Sequence, residues 1–412
     1  MTQPPAASVA ATTGDRGVAV VVVGVGVCSA LHVGKLPVAI PHLQAELALN
    51  LVQAGFLLSL VQLAGLALGL LVGLMADRLG PRRVMLAGLW VLAAGSAGGA
   101  LASGVDQLLM FRVIEGAGFL LTVLPAPGLL RLHLTDPLRL SRALGWWGTY
   151  MPMGTALALL LGAPAMAWAG WRSVWWWLAL CSALAALVLV LKVPRVRGGE
   201  GVQPPVSTAL WPRLRRTLGA PGPWLVALGF LLYSGQWLAV VGFLPTVYAQ
   251  AGFGAAPVAV LSALAAAVNI MGNVAAGRWL ARGTRPGALV STGYLAMAVG
   301  ALVAFGASGH PVLQYLGVLL FSAVGGLIPG TLFGVAVVLA PGRDTVSTTV
   351  GWMQQFSALG QFIGPPAVAW WVTRVGGWHW TWVLTGACSL LGLLLAARLQ
   401  REWGRRPAGT GG

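Results

Sequence analysis

Four titratable residues stand inside otherwise apolar stretches of the chain: His32, Lys35, Arg112 and Glu115. Charged groups are expensive in such surroundings and usually mark an ion or substrate path. His32 and Lys35 are three residues apart, as are Arg112 and Glu115, so each pair shares one helix face. Counting rise from the helix ends puts Lys35 and Arg112 in the same half of a bilayer. Arg112 and Glu115 can pair with each other, which would leave a protonated Lys35 as a positive charge without a partner. A small monovalent anion would complete the balance. His32, Lys35 or Glu115 would then be the group that carries a coupling proton. A structural reading stands beside each of these. Arg112 and Glu115 would tie two helices together, Lys35 would snorkel to the outer headgroups, and His32 would be a hydrogen-bonded interior residue. Against snorkelling, the chain stays apolar or small for several residues beyond Lys35, and Pro37 and Pro41 bend the helix there.

Uncharged polar residues mark further faces. Tyr233, Gln236 and Trp237 share a face of helix 7, which is the expected second half of a substrate site. Asn269 and Asn273 are four apart on helix 8, and Gln354, Ser357 and Gln361 line one side of helix 11, with Trp352 and Gln355 nearby. Tyr150 in helix 5 is a fainter candidate. Each of these equally fits an interhelical hydrogen bond, worth roughly 0.6–2 kcal/mol. Gly65, Gly69 and Gly73 form a small-residue stripe on helix 2, and Gly360 and Gly364 form one on helix 11. Both are expected to let two helical bundles slide closely past one another. There is no Gly-Lys phosphate loop, no metal-spaced cluster and no Ser/His/Asp arrangement. The expectation is a non-enzyme without cofactor or metal.

The elements that must position these residues follow from composition. Hydrophobic residues make up 58% of the 412 and charged residues 8%, against about a quarter charged in soluble domains. The apolar runs are 17–41, 49–75, 84–104, 107–130, 143–168, 173–192, 223–249, 256–280, 288–308, 312–338, 346–372 and 379–397. Each is long enough for a spanning helix of about 20 residues. The net charge of +16 would suggest nucleic acid in a soluble protein. Here, however, Lys and Arg fall almost entirely after the even-numbered runs and before the first. That pattern puts both termini in the cytoplasm of an inner-membrane protein and makes lipid, not nucleic acid, the partner. Cys28, Cys181 and Cys388 lie within apolar runs and read as packing residues. The start of the chain reads as an uncleaved first helix.

The polar stretch 193–222 divides the chain into a bundle over 1–192, a cytoplasmic linker and a bundle over 223–412. The halves repeat: Gly145-Trp146 recurs as Gly351-Trp352, Gly154 as Gly360, Gly170-Trp171 as Gly377-Trp378 and Pro37 as Pro245. A near-constant offset after six spans implies two parallel six-helix repeats. Asp77 closes helix 2 on the cytoplasmic side. Its carboxylate is expected at the N-terminus of helix 11 near Thr345–Thr349, where the dipole favours it. Arg78, Arg82 and Arg83 would extend this gate, with Gly73 and Gly80 shaping it.

The segment Gly73-Leu74-Met75-Ala76-Asp77-Arg78-Leu79-Gly80-Pro81-Arg82-Arg83 resembles the loop signature between helices 2 and 3 of the major facilitator superfamily, with Pro81 where a basic residue is usual. Arg112-Val113-Ile114-Glu115-Gly116-Ala117-Gly118 resembles that family's helix 4 signature, with Glu115 in place of the usual Gln. The corresponding loop of the second half, Gly277-Arg278-Trp279-Leu280-Ala281-Arg282, has lost the Asp. The resemblance covers essentially the whole chain. It implies an all-α membrane protein, twelve transmembrane helices in two six-helix repeats, working by alternating access as a monomer on a small-molecule substrate. Within the superfamily, His32 to Pro37 and Gly235-Gln236-Trp237 through Leu244-Pro245 resemble the cyanate and 2-nitroimidazole transporters, which implies a small anion or small polar planar substrate. The alternatives are a proton-coupled drug or metabolite exporter, distinguished by an aromatic cavity without a required cation, and, from another class, a polytopic sensor or membrane enzyme.

Overall fold

The computed structural model describes residues 13–134, 136–194, 210–342 and 345–405, and within helices the side chains at positions 13–16, 70, 73, 74, 77, 78, 137, 138, 141 and 210 lie outside the described set. The described residues are almost all helical, with no strand among them. Ten stretches are long and apolar enough to cross a membrane. One of these, Arg142–Lys192, has 51 residues and would extend about 77 Å as one helix, against a hydrocarbon core of about 30 Å. Gly170, at φ 75° and ψ 165°, breaks it, as only glycine does cheaply. The 30-residue helix Val346–Val375 has the length but a more polar face, and it completes twelve among the described residues.

In chain order the helices are α1 (Thr13–Leu47), α2 (51–79), α3 (Pro81–Ala100), α4 (105–133), α5 (137–169), α6 (171–192), α7 (Pro221–Gln250), α8 (255–281), α9 (Pro286–Gly306), α10 (311–339), α11 (Val346–Val375) and α12 (Thr381–Gly404). Proline opens α3, α7, α9 and α10, where its missing N–H costs nothing. Between α2 and α3 the chain reverses on Gly80 alone, at φ 86°. Helix α2 tightens into a 3-10 turn over Leu60–Gln62. Helices α8 and α10 are interrupted at Val268 and Gly326, where their backbones cross in contact.

The repeat reappears as packing. Gly154 on α5 sits against α1 as Gly360 on α11 sits against α7. Trp171 donates to the Glu46 carboxylate at 2.7 Å, and its repeat partner Trp378 donates to the Gln250 amide oxygen at 2.8 Å, so each half staples the end of its first helix to its fifth–sixth hairpin. The helix 11 stripe differs from expectation. Gly360 and Gly364 press on the α7 backbone inside their own half, where a Cβ at Gly235 would come 2.7 Å from the Gly360 oxygen. Only the α2 stripe, with Gly65 over Ala358 and Gly69 over Gln355, faces the other half. The linker also differs. Part of it, Leu210–Gly219, is a helix joined to α11 by Thr217 Oγ1 and Thr348 Oγ1 at 2.7 Å, and α7 starts at Pro221 rather than 223.

The halves meet unevenly. At one end α2 lies against α11, with Gly55 on Pro366, and the first part of α8 (Ala255–Ala267) runs along the α5–α6 pair. At the other end the second part of α8 (Asn269–Ala281) barely touches that pair.

Candidate functional site

The site grows from the kink in α1. Pro37 and Pro41 interrupt its hydrogen-bond ladder, and the turn before them carries His32 and Lys35, both wholly buried. Arg112 and Glu115 on α4 are buried opposite them. Among the described side chains Glu115 is the only buried carboxylate, and the other three converge on it. The Lys35 ammonium donates to Glu115 Oε1. Arg112 Nη1 donates to Oε2 at 2.8 Å. His32 Nδ1 meets Oε1 at 3.2 Å. An ionised carboxylate only accepts, so Nδ1 carries the proton, and in the neutral ring Nε2 accepts from the Ser182 hydroxyl at 2.8 Å.

Lys35 is therefore not the unpaired charge the sequence suggested. It pairs with Glu115, donates to Ser96 Oγ at 3.0 Å and lies 4.2 Å from the Trp175 ring centroid. A snorkelling role is excluded too, because no part of it reaches the surface. The local spacing showed that Arg112 and Glu115 could pair. It could not show that α1 is rotated so as to put Lys35 on the same carboxylate. Arg112 also donates from Nη1 to the His32 carbonyl at 2.7 Å and from Nε to the Leu57 carbonyl at 3.0 Å. Its Nη2 is buried without a hydrogen-bond partner. One carboxylate thus ties α1 to α4, and through Arg112, Ser96 and Ser182 also to α2, α3 and α6. With His32 neutral the group carries one net positive charge. Protonating Glu115 would loosen three contacts at once.

The second half holds a different polar network. Tyr233 and Asn269 exchange hydrogen bonds at 3.0 and 3.2 Å, Asn269 donates to the Ser322 carbonyl, and Trp237 Nε1 donates to Ser322 Oγ at 3.1 Å. Asn273 donates to Asn269 Oδ1 at 2.9 Å. Gln236 faces α12 and accepts from Ser389 at 3.2 Å. Tyr233, Gln236 and Trp237 therefore do not form one face toward the first half. They turn inward to α8, α10 and α12, since adjacent residues point about 100° apart on a helix. What α7 offers the other half is Leu238, clustered with Val33 and Phe119, and Gly242 against Leu58.

Each half also carries an aromatic group. Trp147 stacks on Tyr150 at 4.5 Å, and Trp352, Phe356 and Trp224 form an edge-packed group with centroids 4.9–5.6 Å apart. Gln354 and Gln355 are half-buried on the same helix. Gln361 accepts from Gln62 Nε2 at 3.0 Å and donates to Ser357 at 3.2 Å. Gln62, Ser96, Ser182 and Trp175 were missed from the sequence; for the first three the available signal was a lone polar residue within an apolar run, and Trp175, within Trp175-Trp176-Trp177, carried none. Of the expected gate, positions 73, 77 and 78 fall outside the described side chains. Arg82 donates to the Val193 and Val190 carbonyls at 2.9 and 3.0 Å, tying α3 to the end of α6, and Arg83 is exposed.

Among the described residues, twelve long helices in two repeats, with a charged cluster sealed inside the first, make a polytopic membrane protein. Residues 22–365 match the family model of the Major Facilitator Superfamily, and the chain belongs to that superfamily. It is 32% identical over 173 residues to the tetracenomycin C resistance and export protein of Streptomyces glaucescens, a stretch covering 42% of this chain and 32% of that one. It is 25% identical over 157 residues to the multidrug transporter mfsC of Aspergillus fumigatus, covering 38% and 30%. It is 26% identical over 213 residues to a chloramphenicol resistance protein of Pseudomonas aeruginosa, covering 50% and 49%. The chain spans no more than about a third of the length of the first curated relatives it matches. A bacterial homologue of the human lysosomal transporter Spinster, crystallised inward-facing and unoccupied, superposes with a TM-score of 0.79 over 97% of this chain and all of its own. Its identity is 16%, a likeness of fold.

Proposed function

We propose that this chain exports small, largely apolar or aromatic molecules across the plasma membrane in exchange for protons. The observation that carries this reading is the pairing of Lys35: its ammonium is already neutralised by Glu115 and sealed from solvent. The buried cluster leaves no cation of its own exposed to draw an anion, while α5 and α11 carry the aromatic residues Trp147, Tyr150, Trp352 and Phe356. The export and resistance names of the relatives point the same way. Glu115 serves as the proton acceptor, because its protonation releases α1 from α4. In inverted vesicles, an imposed pH gradient should drive accumulation of a fluorescent aromatic cation or of chloramphenicol, and Glu115→Gln should cut the initial rate at least tenfold. Accumulation indifferent to the gradient would sink the proton exchange.

One observation favours a second reading. Arg112 Nη2 is buried and unpartnered, and the cluster keeps one net positive charge. A small anion such as cyanate, as the resemblance of the His32–Pro37 segment implies, would meet that nitrogen. Uptake of labelled cyanate, in place of drug efflux, would select this reading. In either case we place both termini in the cytoplasm, with 1–192 and 223–412 as the two moving bundles. Reporter fusions after Arg83 and at the C-terminus should both report the cytoplasmic side; a periplasmic signal from either would reverse the orientation.

A further inference from the structure

The two repeats treat one corner differently. In the first half, the loop joining the second and third helices is closed onto the end of the sixth, because Arg82 spends its guanidinium on the carbonyls of Val190 and Val193. In the second half the equivalent corner, between the α8–α9 loop and the end of α12, is held by Gln400, whose side chain accepts from the Gly287 backbone at 2.9 Å. That bond uses the α9 N-terminus and leaves the arginines unspent. Beside it lies a cavity of about 320 Å³, bounded by Leu280, Thr284, Arg285, Gly334, Val335 and Trp403.

The cavity is amphipathic. Leu280, Val335 and the Trp403 indole make an apolar wall, while the side chains of Thr284 and Arg285 stand at the loop with no hydrogen bond or ion pair among the described residues. Two chain stretches far apart in sequence carry arginines near this corner: 278 in the last turn of α8, 282 and 285 in the loop after it, and 398 and 401 near the end of α12. All five are exposed and lack an acidic partner among the described residues. The one carboxylate on this part of α12, Glu402, is engaged by Arg405 at 3.4 Å. The neighbouring helix surfaces are apolar and exposed at Trp279 and Val337, as lipid-facing surfaces are. Ordinary cytoplasmic arginines need no cavity. Here a concave apolar wall sits under a cationic rim, which is the chemistry of a phosphate attached to a glyceride.

We propose that this corner of the C-terminal half binds the headgroup of one anionic phospholipid, with the phosphate on Arg282 and Arg285 and the glycerol and first acyl carbons against Leu280 and Trp403. The binding would clamp the α8–α9 loop to α12, as Arg82 clamps the corresponding elements of the first half.

The test is lipid retention by the full-length protein, purified from detergent carrying equal phosphatidylglycerol and phosphatidylcholine and read by native mass spectrometry. Wild type should retain phosphatidylglycerol at least tenfold over phosphatidylcholine. Arg282→Ala/Arg285→Ala should lower that preference roughly tenfold, as expected for two cations near an anionic surface, while remaining monodisperse. Trp403→Ala should weaken retention of the diacyl lipid, and Arg215→Ala on the linker helix should not. Equal retention of the two lipids would overturn the proposal, as would full phosphatidylglycerol retention in the double variant. Displacement of the lipid by an equal concentration of glycerol phosphate would make this a soluble phosphate site and overturn the lipid assignment.

Discussion

Glu115→Gln destabilises the folded protein more than any other single replacement in the buried cluster, by on the order of 3–5 kcal/mol, the usual effect of removing one partner from a buried ion pair. The reason is the charge count. Lys35 and Arg112 are both buried, and among the described residues Glu115 is the only anion touching either. Glutamine keeps an oxygen acceptor but supplies no charge, so two cations are left in a low-dielectric interior. Lys35→Met is expected to be mild by comparison, because Glu115 stays paired with Arg112 at 2.8 Å and hydrogen-bonded to His32. The double variant Lys35→Met/Glu115→Gln should recover part of the loss, leaving Arg112 on the carbonyls of His32 and Leu57. Heating the detergent-solubilised variants and measuring the surviving monodisperse peak gives all four corners of the cycle. If Lys35→Met is as damaging as Glu115→Gln and the double variant is worse than either, the shared carboxylate is not the keystone. A lysine awaiting an anion would behave otherwise: millimolar cyanate would raise the thermal midpoint of wild type and not of Lys35→Met.

The four titratable residues were legible because such a group in an apolar run is conspicuous and i,i+3 spacing fixes the helix face. Their partnership was only half legible. Arg112 and Glu115 lie on one helix, so local geometry pairs them. Lys35 reaches the same carboxylate only because α1 packs with that face toward α4, a tertiary fact with no local signature. The same limit explains the glycine stripes. A small residue every four positions announces close approach but not the neighbour, so Gly360 proved to serve α7 while Gly65 serves the opposite half. Helix count was easy, since Gly, Pro and Arg punctuate the apolar runs. The Gln62–Gln361 bond, between residues 299 apart in sequence, has no trace in either segment read alone.

The contact between α2 and α11 gives the second large effect. Gly55→Leu should force the halves apart at the end where they now meet. A Cβ at Gly55 would lie 2.8 Å from Pro366 Cα and 2.9 Å from its nitrogen. Both are backbone atoms, which cannot step aside as a flexible side chain could. Pro366 is further fixed by Pro365 before it, within an otherwise continuous helix. Relief requires α2 to move away from α11, stretching the Gln62–Gln361 bond about two turns further along. Overpacking of this kind costs about 1–3 kcal/mol. Because it is paid only in the conformation closed at this end, it shifts the population toward the other conformation by roughly 5- to 150-fold. By the arginine distribution this end faces the exterior, so Gly55→Leu should favour the outward-open state and slow turnover at least tenfold. The readout is a cysteine at Gln361, introduced after Cys28, Cys181 and Cys388 are replaced by serine and challenged from outside intact cells with a membrane-impermeant maleimide. Labelling should be at least tenfold faster with Gly55→Leu than with glycine, and Gly55→Ala should fall between. Equal labelling rates in the three backgrounds would mean that α2 and α11 do not separate during transport, and the external gate must then lie elsewhere, with the α5–α8 contact the next to test.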